Sequence, residues 1–85
     1  MKQFEYTIKD EVGIHARPAG LLVKEAKKFA SKIEIGKDGK SAEATKLMKL
    51  MNLGVKCGDT VTVTVEGDDE DAAFDGIKAF IEANL

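Results

Sequence analysis

Apolar residues alternate with polar ones in several short stretches of the chain, a pattern that predicts β-strands with one buried face. The clearest examples are Phe4, Tyr6 and Ile8 near the start and Val61, Val63 and Val65 further on. A third stretch places Ile33 and Ile35 among charged residues. The Asp38-Gly39 pair after it supplies the positive backbone angles of a tight hairpin, which predicts a short returning strand over residues 41–43.

Residues 17–29 change to the spacing of an amphipathic helix, and Pro18 suits its first turn, where a missing N–H needs no partner. The face that we expect to be buried consists of Ala19, Leu22, Val23, Ala26 and Phe29. A second stripe of the same helix contains Arg17, Leu21, Lys24 and Lys28. Leu21 thus stands among cations, either as a docking contact or as an ordinary exposed leucine.

Gly20 lies inside this predicted helix. Glycine is less favourable than alanine there by about 1 kcal/mol. Either a partner approaches the helix closely at this point, or the glycine is simply tolerated.

A shorter helix is predicted over residues 46–53, with Thr45 as its N-cap and Gly54 as the residue that ends it. Its apolar side chains are Leu47, Met48, Leu50, Met51 and Leu53. One buried face of so short a helix cannot hide all of them, so we expect some to face water, where flexible methionines suit several partners. The alternative is that all five belong to the core.

A third helix is predicted to follow an acidic run and to bury one apolar face. The acidic run is Asp68, Asp69, Glu70 and Asp71, and the buried face is Ala73, Phe74, Ile77, Phe80 and Ile81. Carboxylates are favourable partners of a helix start, and their spacing here is not that of a calcium loop. The order strand, helix, strand, strand, helix, strand, helix indicates an α+β fold with helices on one face of an antiparallel sheet.

The chain has 85 residues, of which 44% are apolar and 33% charged, as expected for one small domain over residues 1–85. Its single cysteine, Cys57, cannot form an internal disulfide, and a reducing compartment is the default. We find neither a membrane-span pattern nor a signal-peptide pattern, so we expect a cytoplasmic protein without direct membrane insertion.

Charge is distributed unevenly along the chain. Residues 1–65 hold twelve basic and eight acidic side chains, a net charge of +4, whereas residues 66–85 hold one lysine and seven acids, a net charge of −6. The same part of the sequence as the only histidine holds Lys24, Lys27, Lys28, Lys46, Lys49 and Lys56. They form either a basic surface for an acidic partner or an ordinary solvated set. The overall charge of −2 and the lack of an aromatic stacking surface argue against nucleic-acid binding.

The only histidine, arginine and proline of the chain lie within four residues, in the run Gly13-Ile14-His15-Ala16-Arg17-Pro18. A helix start behind His15 disfavours imidazolium, so we expect a neutral, nucleophilic ring near pH 7. The helix start over Ala16, Arg17 and Pro18 would hold a phosphoryl group through its free peptide N–H groups, which Pro18 lacks, and through the Arg17 guanidinium. A lone histidine is more often an ordinary loop residue, but these neighbours favour a phosphoryl site.

With these residues in place, the whole chain resembles the HPr family, the histidine-containing phosphocarriers of the sugar phosphotransferase system. The likeness extends beyond residues 13–19 to Lys24, Leu47-Met48, Leu53-Gly54, the strand near Val61, Gly67 and the run Asp69-Glu70-Asp71-Ala72-Ala73. The resemblance implies an open-faced β-sandwich, with a four-stranded antiparallel sheet in the order 1-4-2-3 and three helices on one side. The strand order itself cannot be read from the alternation.

The resemblance also implies a mechanism. His15 would take a phosphoryl group from a phosphohistidine of Enzyme I through Nδ1 and pass it to the histidine of an Enzyme IIA domain, with Arg17 offsetting charge. The chain would be a carrier rather than a turnover enzyme, with no metal and no cofactor, and we expect a monomer. The docking residues expected from the resemblance and the basic stripe are Gly20, Leu21, Lys24, Lys27, Leu47, Met48 and Met51.

One position departs from part of the family. Lys46 stands where many members of the low-GC Gram-positive type carry a serine that an ATP-dependent HPr kinase phosphorylates. A lysine cannot accept that phosphate, and neither Thr45 nor Ser41 occupies the matching position. The resemblance therefore does not extend to this kinase control.

Two other functions stay open from the sequence. One is a regulatory binding module that reports phosphorylation state without serving transport, although His15 and Arg17 argue against a purely non-carrier form. The other is a carrier of the nitrogen branch, with the same chemistry and different partners. The transported sugars are not encoded in this chain.

Overall fold

The computed structural model describes residues 1–11, 14 and 16–85. Its elements are β1 (Lys2–Thr7), α1 (Ala16–Ala26), β2 (Lys32–Lys37), β3 (Lys40–Glu43), α2 (Leu47–Asn52), β4 (Thr60–Glu66) and α3 (Glu70–Asn84). The predicted order of strands and helices is confirmed.

The strands form an antiparallel sheet in the order β1-β4-β2-β3, as the resemblance implied. β4 lies between β1 and β2, and its central residue Val63 is opposite Phe4 on one side and Ile35 on the other. The sheet thus brings together residues nearly 60 positions apart in sequence.

The hydrophobic core lies between this sheet and the helices. Its strand residues include Ile33, Ile35, Val61, Val63 and Val65, and its helix residues include Ala19, Leu22, Ala26, Leu50, Ala73, Ile77 and Ile81. The predicted inward residues Val23, Phe29, Phe74 and Phe80 are partly buried against the same core. The polar residues of β1 stay exposed on the other face, so the sandwich is open on that side. No helix in the described ranges is long and apolar enough to span a bilayer.

The hairpin between β2 and β3 has the predicted turn. Asp38 and Gly39 both adopt positive φ, at 51° and 81°, as a two-residue turn that matches the strand twist requires. β3 covers Lys40–Glu43, so the returning arm is short, as expected.

The bounds of α1 differ from the prediction at both ends. The helix begins at Ala16 and ends at Ala26, whereas residues 17–29 were expected. The amides of Lys28 and Phe29 donate to carbonyls three residues back, at 3.2 Å each, so the chain tightens and leaves the helix. Phe29 still packs against the core from this turn.

The expectation for the start of α2 was wrong. Its N-cap is Lys46, with φ −115° and ψ 97° and no capping bond from its side chain, and Thr45 lies one residue too early. The reason is a turn in which the Lys46 amide donates to the Glu43 carbonyl at 3.0 Å. The helix therefore takes its first bond on the Lys46 carbonyl. Gly54, with φ 68°, follows the helix as predicted.

Asp69 departs from the role expected of the acidic run. Glu70 and Asp71 lie in the first turn of α3, but the Asp69 side chain makes no capping bond there. Its carboxylate accepts hydrogen bonds from the Ala30 and Ser31 amides, both at 2.8 Å, and from the Ser31 hydroxyl. Asp69 thus fastens the start of α3 to the turn between α1 and β2.

The hydrogen bonds accepted by the Asp69 carboxylate, which we call the Asp69 anchor, make the unfolding free energy depend on pH. The bonds from Ser31 and Ala30 lower the pKa of Asp69 from its ordinary value of 3.8. A carboxyl with a lowered pKa contributes stability above its unfolded pKa and loses that contribution as the pH falls through its folded pKa. We predict that Asp69→Asn lowers the unfolding free energy at pH 7 and flattens its decline below about pH 4.

Chemical denaturation from pH 7 to pH 2 measures this effect. Asp68→Asn is the matched control, because Asp68 is an exposed neighbour in the same run. An Asp69→Asn protein whose acid profile follows that of the parent and of the control would contradict the assigned anchor.

Candidate functional site

His15 lies outside the described residues, as do Val12 and Gly13, so the site is built from its neighbours. Ile14 is 6% exposed, and its amide donates to the Val55 carbonyl at 3.1 Å. α1 begins at Ala16, immediately after His15 in sequence, and Pro18 lies in its first turn. The expected helix start behind the histidine is confirmed.

A shallow cleft of about 290 Å³ opens beside this helix start. It is lined by Asp10, Arg17, Pro18, Leu21 and Asn84. Arg17 is exposed and, among the described residues, has no ion-pair partner, whereas Pro18 is buried. The cleft therefore combines a free guanidinium with an apolar wall.

Sequence reasoning missed two residues of this cleft. Asp10 and Asn84 are distant in sequence, and the chain end brings them together because the Lys9 and Asp10 amides donate to the Leu85 carbonyl at 2.6 and 2.8 Å. The Asn84 amide group donates to the Phe80 carbonyl at 2.9 Å. No local signal marks such a long-range contact.

Exposed apolar side chains concentrate on α1 and α2. Leu21 is 43% exposed, Leu47 39% and Met48 66%, and in the described ranges the only other large hydrophobic residue so exposed is Met1. Leu50 is buried, and Met51 and Leu53 are partly buried against the core. The expected apolar excess of α2 is thus confirmed, and the alternative that all five residues belong to the core is wrong.

Most cations on or next to these two helices form no ion pair within the part of the chain that is described. Among the described residues, Lys24, Lys27, Lys46 and Lys49 are exposed and form no ion pair. Lys28 differs, since its ammonium lies 3.1 Å from the Glu25 carboxylate. We call the exposed residues Arg17, Leu21, Lys24, Lys27, Lys46, Leu47, Met48 and Lys49 the helical surface. An apolar group ringed by unpaired cations suits a partner with acidic side chains.

Gly20 is not required by the packing of the part of the chain that is described, because a Cβ placed there would meet nothing within 4 Å. Gly76 of α3 is the opposite case: a Cβ there would lie 2.7 Å from Cζ of Phe29. Folding therefore explains the glycine of α3 but leaves that of α1 unexplained.

Across residues 1–11, 14 and 16–85, no three His, Cys, Asp or Glu side chains gather where they could hold a metal ion. Cys57 is exposed, and its Sγ lies 3.8 Å from the Lys9 carbonyl oxygen.

The sheet order and the helices place the chain in the class of open-faced α+β sandwiches. A family model described as the PTS HPr component phosphorylation site matches residues 2–83. The chain belongs to the HPr family, the phosphocarrier proteins of the phosphotransferase system.

Relatives and solved structures agree with this assignment. The phosphocarrier protein HPr of Mycoplasma genitalium is 42% identical over 85 residues, covering 99% of this chain and 97% of the relative. A crystal structure of HPr-C-His from Thermoanaerobacter tengcongensis is similar with a TM-score of 0.93 and 43% identity, covering 99% of this chain and 94% of that one. Bacillus subtilis Crh, described as a catabolite repression protein and solved as a swapped dimer, is similar with a TM-score of 0.79 and 36% identity. The match covers 100% of this chain and 98% of that one.

The two helical glycines should respond oppositely to alanine. We predict that Gly20→Ala raises the unfolding free energy by up to about 1 kcal/mol, because alanine has the higher helix propensity and nothing described obstructs its methyl group. Gly76→Ala should lower it, because the methyl group would collide with the Phe29 ring. Denaturant titration of both variants measures the difference, and a destabilised Gly20→Ala protein would refute the packing account of α1.

Proposed function

We propose that His15 is the phosphoryl acceptor of this carrier, receiving the group from Enzyme I and donating it to Enzyme IIA domains during sugar uptake. The observation that carries the proposal is the position of α1, which begins at Ala16 directly behind His15. Arg17, exposed at the cleft, is the second functional residue. Membership in the HPr family supports the same chemistry.

The chemistry follows from a neutral imidazole beside a helix start. The Nδ1 lone pair attacks phosphorus while the phosphorus–nitrogen bond of the donor phosphohistidine breaks, and the electron pair of that bond returns to the donor ring. Transfer onward reverses these roles. Because the transition state is loose, the protein supplies mainly position and charge: the first N–H groups of α1 hold phosphoryl oxygens, and Arg17 offsets their charge.

Docking is assigned to the helical surface. The exposed apolar side chains of Leu21, Leu47 and Met48 would fill shallow depressions on a partner, and the unpaired lysines would face its acids. Gly20 allows close approach to α1, and the half-buried Met51 contributes at the margin. Such a surface suits weak, transient contacts, which a shuttle needs in order to release each partner.

A regulatory role is the second candidate, and the similarity to Crh favours it. Against kinase-based regulation stands Lys46, which is exposed and carries no hydroxyl. A nitrogen-branch carrier would share the site and differ in its partners. We propose a cytoplasmic monomer for this chain, although Crh has been solved as a dimer.

The acceptor is tested by phosphorylation. With Enzyme I and phosphoenolpyruvate, the protein should gain one phosphate that is acid-labile and base-stable, and His15→Ala should gain none. The parent, unlike His15→Ala, should restore growth of a carrier-deficient strain on a transported sugar. Labelling retained in His15→Ala would refute the acceptor, whereas labelling of the parent without restored growth would favour the regulatory or nitrogen-branch role.

Arg17 should matter for transfer far more than for folding. We predict that Arg17→Glu slows phosphoryl transfer by about 100-fold or more, the scale of losing one charge-stabilising group. The unfolding free energy should change by less than about 0.5 kcal/mol, since the side chain is exposed. Lys78→Glu makes the same charge reversal on α3, where the ammonium lies over the Phe74 ring, and serves as control. Equal slowing in the control, or a large loss of stability in Arg17→Glu, would contradict the assignment.

A further inference from the structure

The loop over residues 54–59 is bonded to the chain on both sides of the segment that leads to His15. On the near side, the Ile8 amide donates to the Asp59 carbonyl at 2.9 Å and the Gly58 amide donates to the Ile8 carbonyl at 2.8 Å. On the far side, the Ile14 amide donates to the Val55 carbonyl at 3.1 Å. The position of Ile14, the residue before His15, thus depends on this loop.

One lysine closes the loop at its two ends. Nζ of Lys37 donates to the Gly54 carbonyl at 2.8 Å and lies 2.8 Å from the Asp59 carboxylate. The same carboxylate accepts the Lys56 amide at 2.8 Å. The Lys37 side chain is only 17% exposed, so these bonds are better shielded from water than those of a surface ion pair.

We call the contacts of Lys37 with Gly54 and Asp59 the clamp. Its lysine belongs to the sheet. Lys37 ends β2, which is hydrogen-bonded to β3 on one side and β4 on the other. Gly54 and Gly58 turn the loop with φ of 68° and 90°, angles that other residues adopt at a cost. Without the contacts of Lys37, which connect this loop to the sheet, we expect its two exposed turns to open locally.

We infer that Lys37 and Asp59 are positioning residues for phosphoryl transfer, which hold the loop over residues 54–59 so that its Val55 carbonyl fixes Ile14 in front of His15. The inference rests on the proposed role of His15. Neither residue touches the transferred group. Lys37 and the Lys56 amide lower the pKa of Asp59, so the carboxylate stays charged at neutral pH and the clamp stays closed.

Removal of the Lys37 ammonium should increase local opening of the loop over residues 54–59 more than it lowers the stability of the whole fold. In Lys37→Met, the Gly54 carbonyl loses its side-chain donor, and the Asp59 carboxylate keeps only the hydrogen bond from the Lys56 amide. We expect hydrogen exchange of the Ile14 amide to rise on the order of tenfold relative to that of Val63 in β4, because local opening is independent of global unfolding. The catalytic rate of phosphorylation by Enzyme I should fall by roughly tenfold or more, with KM unchanged because the helical surface is intact.

Two companion variants sharpen the test. Lys32→Met removes the same charge from the same strand, where the ammonium is 3.8 Å from Glu34 and more exposed, and it should change neither measurement. Lys37→Arg keeps a cation with several donors and should restore most of both. All proteins are compared at a temperature where circular dichroism shows them folded.

The outcomes separate the clamp from the proposed function. Unchanged exchange of Ile14 in Lys37→Met, or equal acceleration at Ile14 and Val63, would overturn the positioning role. Loosened exchange with an unchanged catalytic rate would overturn it as well. If the parent protein is not phosphorylated on His15, the proposed function fails, while the exchange result still reports on the clamp.

Discussion

The apolar layer between the sheet and the helices is the constraint on which the rest of the structure depends. Val63 occupies its centre, opposite Phe4 and Ile35 and fully buried under the helices. Complete burial of one such side chain contributes about 1.5–3 kcal/mol, so a small chain needs nearly every inward position for its core. Few inward positions remain free for other roles, so the outer helix faces and the loops are where the chain can vary without loss of its core.

The demand of the core for buried side chains explains which residues of α1 and α2 are left to form the helical surface. α1 and α2 bury Ala19, Leu22 and Leu50 and leave Leu21, Leu47, Met48 and their lysines exposed. Ion pairs in the described ranges lie mostly elsewhere, as with Lys2 and Asp71 at the start of α3. Because these cations have no ion-pair partner among the described residues, they can pair with acidic groups of another molecule without first breaking internal ion pairs.

Local patterns predicted local structure well. Alternation located β1, β2 and β4, the Asp38-Gly39 pair gave the turn with both φ values positive, and helical spacing gave the buried faces of all three helices. They failed at helix ends, where a local turn decides, and where a distant contact decides. The chain leaves α1 after Ala26 through turns in which the Lys28 and Phe29 amides donate to carbonyls three residues back. The Asp69 carboxylate accepts hydrogen bonds from Ser31 rather than from the first turn of α3. The strand order came from family resemblance, because pairing across the sheet has no signature in neighbouring residues.

The candidate site divides in the same way. The run from Gly13 to Pro18 marks a helix start that follows a histidine in sequence, and α1 begins at Ala16, one residue before the predicted start. The cleft residues Asp10 and Asn84 and the Lys37–Asp59 contact depend on chain closure between remote segments. The assignment of His15 as acceptor stays a prediction.

The two outer strands have a consequence for colloidal behaviour. In the described ranges, β1 and β3 each have a neighbouring strand on one side only, and the free edge of such a strand can pair with another molecule. β3 is only four residues long and carries charges at both ends, Lys40 and Glu43, while β1 exposes Lys2 and Glu5. Charged side chains and a short length both disfavour pairing of an edge strand with the edge of another molecule. The sheet therefore ends on both sides in strands whose charges oppose edge-to-edge growth from one molecule to the next.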